Sequence, residues 1–497
     1  MLYSTLMSKA ALQLEGESYH SQIAKHRGLA MAVVMTGVLI TAIDTTIVVL
    51  ALPEIEKGLK VGLASVIWVV IGYLLVITLL ATQVGRFGDM YGRVRMYEAG
   101  FLVFVLGSLA CALSWNEASI ILFRILQGVG GAFVTANSGA VIAGLYPPHE
   151  RGRAYGYNSI GWSLGAVLGI VLGGLIVTYV SWRWIFWINV PIGLLALILA
   201  TRVLHEIREK VKHNTDIVGM ICLGAGLFGV LWAMTRLATN NFDASVVGYL
   251  GGGILLLISF GFIEWKRVEP MLNLKIFKIP AMTPSLLAAL FQGLANFAVL
   301  FLVIMYLQGT RGLSPIHASL LLIPGYIIGS AIGPFAGRLA DKIGAVIPAT
   351  IGLGVQIIAL FLYAQLGITT GLWLVILASI INGVGNSFFF PANSSAVMKA
   401  SPQAMFGISS GMLRTFSNIG MVFSFSVAIL VAARSLPKHL AFAIFVGATT
   451  LKGGLAADFA SGLHAAFYVS MIFMAIAAIL SAVRFSVVTK NKKVART

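Results

Sequence analysis

Asp44 stands inside the apolar run LITAIDTTIVVLAL (39–52), where an ionised carboxylate costs about 2.5–3.5 kcal/mol at a bilayer centre even on a lenient insertion scale. An acid kept at that cost is a candidate proton site, since protonation removes the charge. The competing reading is a carboxylate that satisfies neighbouring backbone or hydroxyl donors. Thr41, Asp44, Thr45 and Val48 share a helical face, so the acid lies on a polar stripe able to face an internal cavity. In a second run Arg124, Gln127, Gly128, Gly131, Thr135 and Ser138 recur at three- and four-residue spacing. A guanidinium on that stripe requires a carboxylate or carbonyl partner, as a structural tie or to modulate protonation of a nearby acid. Gly165, Gly169 and Gly173 repeat every fourth residue, followed by Gly174, a pattern that admits close helix approach and that packing alone explains. Further along the spans carry amides: Gln292 and Asn296 four apart, Asn382, Asn386 and Asn393 on one face, and Asn418. With Gln127 they are candidates for hydrogen bonding in a substrate cavity; for any single one of them interhelical glue worth about 0.6 kcal/mol is the favoured reading. Trp68, Tyr73, Phe291, Phe297, Phe388, Phe389 and Phe390 are candidates for an aromatic pocket, against the plain alternative of core or lipid-facing rings.

The elements that must position these groups are membrane spans. Of 497 residues, 59% are hydrophobic and 10% charged, with mean hydropathy +0.94, far from the composition of soluble domains. Runs of span length fall at 28–52, 64–85, 96–114, 118–144, 157–179, 184–203, 217–236, 246–264, 282–308, 316–337, 346–366, 371–397, 407–433 and 463–485, each near the roughly 20 residues a bilayer needs. The stretch 440–448 is apolar but too short to cross and reads as a dip into the interface. Fourteen spans leave no room for a large soluble domain and put both ends of the chain on one side. That side carries 24 Lys and Arg, counting Arg484 at the end of the last span, against 8 opposite; the excess places both termini in the cytoplasm. The net charge of +17 is thereby accounted for without nucleic acid. Cys111 and Cys222 both lie in apolar runs and build no metal site. The first run is too long, and contains an acid, for a cleavable signal.

The loop GRFGDMYGRVR (85–95) recurs as GRLADKIGAV (337–346), with Gly85, Arg86, Asp89 and Gly92 matching Gly337, Arg338, Asp341 and Gly344 at a constant offset of 252. GVGGAFVTANSGAV (128–141) recurs as GVGNSFFFPANSSAV (383–397) with a one-residue shift. Two copies of a six-span unit therefore flank a central pair, which predicts an all-α polytopic fold: an N-terminal tail 1–27, a six-helix bundle 28–205, a linker with two extra helices 206–280, a second bundle 281–486 and a tail 487–497. Parallel repeats about an axis along the membrane normal are the plan of rocking transporters, with the substrate between the halves.

These motifs resemble the major facilitator superfamily, and within it the fourteen-span drug/proton antiporters, over nearly the whole chain. LITAIDTTIVVLALPEI (39–55) resembles the group's first-span signature, 85–95 its loop between spans two and three, and ILFRILQGVGGA (121–132) its fourth-span motif. GWSLGAVLGIVLGGLI (161–176) resembles the fifth-span antiporter motif, and SWRWIFWINVPIGLL (181–195) a phrase of the fourteen-span members. The resemblance implies that Asp89 and its flanking arginines, Arg86 and Arg93, form a cytoplasmic gate, that Arg124 assists proton transfer, that Asp44 is the protonatable coupling site, and that Gly165, Gly169, Gly173 and Gly174 shape the interface between conformations. Met90 departs from the usual basic residue, one tie fewer for the gate. Ile170 stands where proline is usual, which takes away the residue expected to kink that helix.

The resulting expectation is a plasma-membrane, proton-coupled exporter of amphipathic cationic or neutral small molecules, monomeric, with no cofactor, no metal and no obligate protein partner. Its partners are the substrate, protons and the bilayer. A transporter of one specific metabolite on the same fold is the alternative. An enzyme is disfavoured: the eight histidines lie in tails, loops or span ends, and no nucleophile with a base is evident in the spans. A transport-dead sensor is disfavoured by the intact Asp44 and gate motif. No G-x-x-x-x-G-K-[ST] loop is present to bind ATP.

Overall fold

A computed structural model describes residues 2–60, 66, 68–206, 216–239, 243–267, 270, 277, 279, 281–402, 405–432 and 454–494. The apolar stretch 440–448 lies outside the described residues. The helices are α1 (Leu2–Leu59), α2 (Trp68–Tyr91), α3 (Arg93–Ala112), α4 (Glu117–Leu145), α5 (Arg151–Tyr179), α6 (Trp184–Trp187), α7 (Asn189–Val203), α8 (Ile217–Thr239), α9 (Ala244–Lys266), α10 (Met282–Met305), α11 (Pro315–Leu320), α12 (Ile323–Ile343), α13 (Val346–Tyr363), α14 (Trp373–Ala400), α15 (Phe406–Ala432) and α16 (Gly454–Val494). Thirteen described helical stretches are long and apolar enough to cross a bilayer, and fourteen when α2, bent by 48° around residue 82, is one span. No strand occurs among the described residues.

The predicted spans map onto these helices with four differences, one being that the run 184–203 is divided at Ile188 into α6 and α7. The first helix extends through residues 2–26, expected only as a polar tail; the segment is rich in Ala, Leu, Gln and Lys, good helix formers, and holds no proline. The last helix likewise runs to Val494, into the predicted tail. The run 316–337 is broken by a turn at 321–322 into α11 and α12, because Pro324 in the first turn of α12 has no N–H to continue the ladder. By contrast α5 passes Ile170 as one unbroken helix, Arg151–Tyr179.

The repeat becomes a pseudo-twofold arrangement. In the first half α1 packs on α5, α4 on α2 and α3, and α7 on α3; in the second half α10 packs on α15, α14 on α12 and α13, and α16 on α10 and α13. The halves meet along two equivalent seams, α2 with α15 and α12 with α5. The central pair behaves asymmetrically. Helix α8 braces the first seam, with Trp68 of α2 against the rings of Phe228 and Trp232, centroids 5.2 Å away in each case. Helix α9 packs on α8 and is only 17% buried over its most apolar stretch, a lipid-facing helix.

Candidate functional site

The two seams close at the membrane face that carries the chain ends. Asp89, at the end of α2, accepts hydrogen bonds from the Gly407 and Ile408 backbone N–H groups at 3.0 Å each, so it caps the N-terminus of α15 in the opposite half. Asp341, at the end of α12, does the same for α5, accepting from Gly152 and Arg153 N–H at 3.0 Å. The first turn of a helix leaves N–H groups unbonded and carries partial positive charge, so a carboxylate there is held by both hydrogen bonds and the dipole. Each cap has its own cation: Arg93 on Asp89 at 2.9 Å, Lys399 on Asp341 at 3.0 Å. Glycines make the approach possible. A Cβ on Gly85 would fall 2.2 Å from the Gly407 carbonyl oxygen, and one on Gly337 would fall 2.1 Å from that of Gly152. Gly92 and Gly344 turn the chain between helices at φ +114° and +95°, which only glycine adopts without strain.

Arg86 is buried, as are Arg93 and Arg151. Arg151, which the sequence did not single out, donates to the carbonyls of Ala143, Tyr146 and Met398, the last across the seam, and lies 4.5 Å from the centroid of Phe406. Arg93 lies 5.5 Å from the same ring, so two guanidinium groups flank one aromatic at the closed end.

Deeper in the first half, Asp44 and Arg124 form a fully buried pair at 2.7 Å. Asp44 also accepts from Gln127 Nε2 at 2.8 Å and Asn189 Nδ2 at 3.1 Å. Arg124 donates to Gln127 Oε1 at 2.6 Å and to the Val69 carbonyl at 2.9 Å, and lies 4.2 Å from the ring centroid of Tyr73. Gln127 donates further to Ser108 at 2.7 Å. Gln127, a candidate for the substrate cavity, is thus part of this network and is not among the residues lining the two chambers between the halves. Asp44 likewise turns toward α4 while Thr41 and Thr45 line the cavity. At 100° per residue Thr41 and Thr45 project 40° apart, whereas Asp44 sits 60° beyond Thr41, enough to carry it behind the wall.

Two adjoining chambers lie between the halves. The first is lined by Thr41, Thr45 and Tyr73 from the first half and by Gln292, Asn296, Phe297, Asn386, Phe390, Arg414 and Asn418 from the second, with Trp162 of α5 at its side. The second chamber shares Thr45, Trp162, Asn296, Phe297 and Asn386 and continues past Asn382 to Val303 and Leu322, away from the sealed face. Gln292, Asn296, Asn382 and Asn386 are therefore brought together around these chambers. Gln292 donates to Asn386 and to Gln356, both at 3.2 Å; Gln356 on α13 was missed. Tyr73, Phe297 and Phe390 line the cavity. Phe291 instead packs on Phe473, Phe389 is core, and Phe388 lies at Gly352 of α13.

The glycine run of α5 faces α1 within its own half: a Cβ on Gly165 would meet the Leu39 carbonyl at 2.5 Å, one on Gly169 Thr46 Oγ1 at 2.0 Å, and one on Gly173 Ile47 at 3.0 Å. Gly174 alone of the four turns toward the other half, 4.0 Å from Ile316. The tightest glycine contacts of α5 with the other half are at Gly152 and Gly156, against Gly337 and Gly333.

Comparison with known proteins places this geometry in a wider group. The family model described as Major Facilitator Superfamily matches residues 25–425. The chain is 28% identical over 396 residues to the tetracenomycin C resistance and export protein of Streptomyces glaucescens, covering 79% of this chain and 73% of that protein. It is 28% identical over 397 residues to the riboflavin transporter RibZ of Clostridioides difficile, covering 80% and 86%. The solved structure of the proton:xylose symporter XylE superposes with a TM-score of 0.62 over 91% of this chain and 95% of that one, at 14% identity, a likeness of fold alone.

Proposed function

The chain belongs to the major facilitator superfamily, and from that premise we propose that it is a proton-coupled exporter of amphipathic small molecules, working by alternating access. The observation that carries this reading is the buried Asp44–Arg124 pair directly behind Tyr73, a wall residue of the inter-half cavity. A proton on Asp44 removes the charge that holds Arg124, and Arg124 contacts the ring that substrate touches. Proton occupancy is thereby linked to cavity shape without the acid itself entering the cavity. One proton falling through 100 mV supplies about 2.3 kcal/mol, about fifty-fold accumulation of a neutral solute.

Asp89 and Asp341 form the gate on the face that carries the termini, and the basic-residue excess assigns that face to the cytoplasm of a plasma-membrane protein. The gate is closed in this arrangement, so the cavity is disposed toward the outside. Opening requires both seams to part together, which the pseudo-twofold placement of the two caps favours. The protein acts as a single chain in this scheme. The similarity to an export protein supports outward transport of drug-like compounds. The similarity to a riboflavin transporter supports a second reading, one specific metabolite as cargo.

The test is reconstitution in liposomes with an imposed pH gradient and a panel of fluorescent amphipathic dyes of both charges. Gradient-driven dye movement that Asp44→Asn abolishes is the expected result. Movement that persists in Asp44→Asn transfers coupling to another group, and a wild type that moves riboflavin-like metabolites but no dye establishes the second reading.

A further inference from the structure

Arg414 is the only residue with an ionised side chain among those lining either chamber. No Asp or Glu lines them; Asp44 is behind Tyr73 and already neutralised by Arg124. Arg414 itself makes no ion pair among the described residues, and its described contact is the face of Phe390, 5.1 Å from guanidinium carbon to ring centroid. The cavity therefore carries one uncompensated positive charge in a low-dielectric, membrane-embedded setting, where a charge without a partner is costly and attracts an opposite one.

From this the geometry points to an amphipathic anion as the cargo: a flat, largely apolar body with one carboxylate, sulfonate or phosphate-type group that pairs with Arg414. The cationic substrates suggested by the family resemblance would meet a like charge and no acid. The inference rests on the exporter reading only in taking this cavity as the substrate site. Arg414 is eight residues from the start of α15 at Phe406, about 12 Å along the axis, so the anionic group sits at the gated end. The body then extends outward between Phe297, Phe390 and Trp162, with Gln292, Asn386 and Asn418 offering hydrogen bonds. A guanidinium suits this role because its planar fork pairs two oxygens at once.

Binding to the purified full-length protein in detergent tests the proposal without requiring transport or a proton gradient. The probes are two pairs of similar skeleton and opposite charge: fluorescein against rhodamine 123, and naphthalene-2-sulfonate against naphthalen-2-ylmethylammonium. Wild type should bind each anion more tightly than its cationic counterpart. Arg414→Gln should weaken anion binding about tenfold or more while leaving or improving cation binding, since a charge-assisted contact is lost and a repulsion removed. Arg414→Lys, which keeps the charge, should retain most of the anion preference, and thermal melts of both variants establish that they are folded. The proposal is overturned by a wild type that prefers the cations or binds no anion, or by Arg414→Gln weakening both classes equally. Anion-selective binding without pH-driven transport in liposomes would instead remove the proton-coupled exporter reading and leave the substrate class standing.

Discussion

The two halves share their docking devices and differ in their cores. At the sealed face the repeat is kept almost atom for atom: each motif aspartate caps a helix of the other half with two bonds of 3.0 Å. In the interior each half buries an arginine, but to different ends. Arg124 faces Asp44. Arg484, counted from sequence with the charges of the terminal face, is fully buried and held by neutral oxygens: Asn393 Oδ1 at 2.7 Å, Ser285 Oγ at 2.9 Å, and the carbonyl and hydroxyl of Ser481. A guanidinium against a carboxylate can be switched by one proton; a guanidinium against amide and hydroxyl groups cannot. The halves thus keep symmetry where they must fit each other and give it up where one pairs its buried arginine with an acid and the other with neutral oxygens.

The comparison can be broken most directly at the arginines. Arg124→Met strands the Asp44 carboxylate and should cost about 3–5 kcal/mol, the usual penalty for removing one member of a buried pair. Arg484→Met strands no charge, and Asn393 already donates to the Ser285 carbonyl at 3.1 Å, so its cost should be about 1–3 kcal/mol. Equal losses of thermal stability in detergent would erase the distinction. Next come the seams. Gly337→Ala and Gly85→Ala place a methyl against backbone that cannot yield, at 2.1 and 2.2 Å, and should cost the sealed state about 1–3 kcal/mol. The readout is cross-linking of a cysteine pair spanning α5 and α12, which should fall for both variants alike if the seams are equivalent.

A smaller effect separates the caps. Asp89→Asn should weaken the sealed state by about 1 kcal/mol. Lys399→Gln should have an effect below about 0.5 kcal/mol, because its bond to Asp341 is partly exposed. Both are measured by the same cross-link. Similarly small is Asn386→Ala, about 0.6 kcal/mol, seen as a slight fall in melting temperature. A much larger fall would mean that the amide cluster carries a large share of the packing within the second half.

Much of this was legible beforehand. Span positions follow from length and apolarity, since a bilayer admits few alternatives to a helix of about 20 residues. The repeat followed from a constant offset, and Asp44 and Arg124 from their cost in an apolar run. Asn189 was not legible, because it lies 145 residues from Asp44 and an isolated amide at a helix start has many uses. Gln356 escaped because its partner Gln292 is 64 residues away, and Ser108 because a hydroxyl in an apolar helix ordinarily bonds its own backbone. Arg484 at the end of a span is indistinguishable by pattern from a residue that snorkels to the interface.

The sequence by itself therefore determined what is local or periodic: the helices, the duplication, the glycines that the gate turns require, and which residues are too polar for their surroundings. Tertiary structure decided what depends on a few tens of degrees of helix rotation or on partners far along the chain. It turned Asp44 away from the cavity that Thr41 and Thr45 line, set Gly165, Gly169 and Gly173 of α5 against α1 and not across the seam, and left Arg414 as the one charged residue lining the two chambers between the halves. The physical reason is that apolarity is a property of each residue, whereas the sign of a cavity is a property of which side chains close packing happens to turn inward.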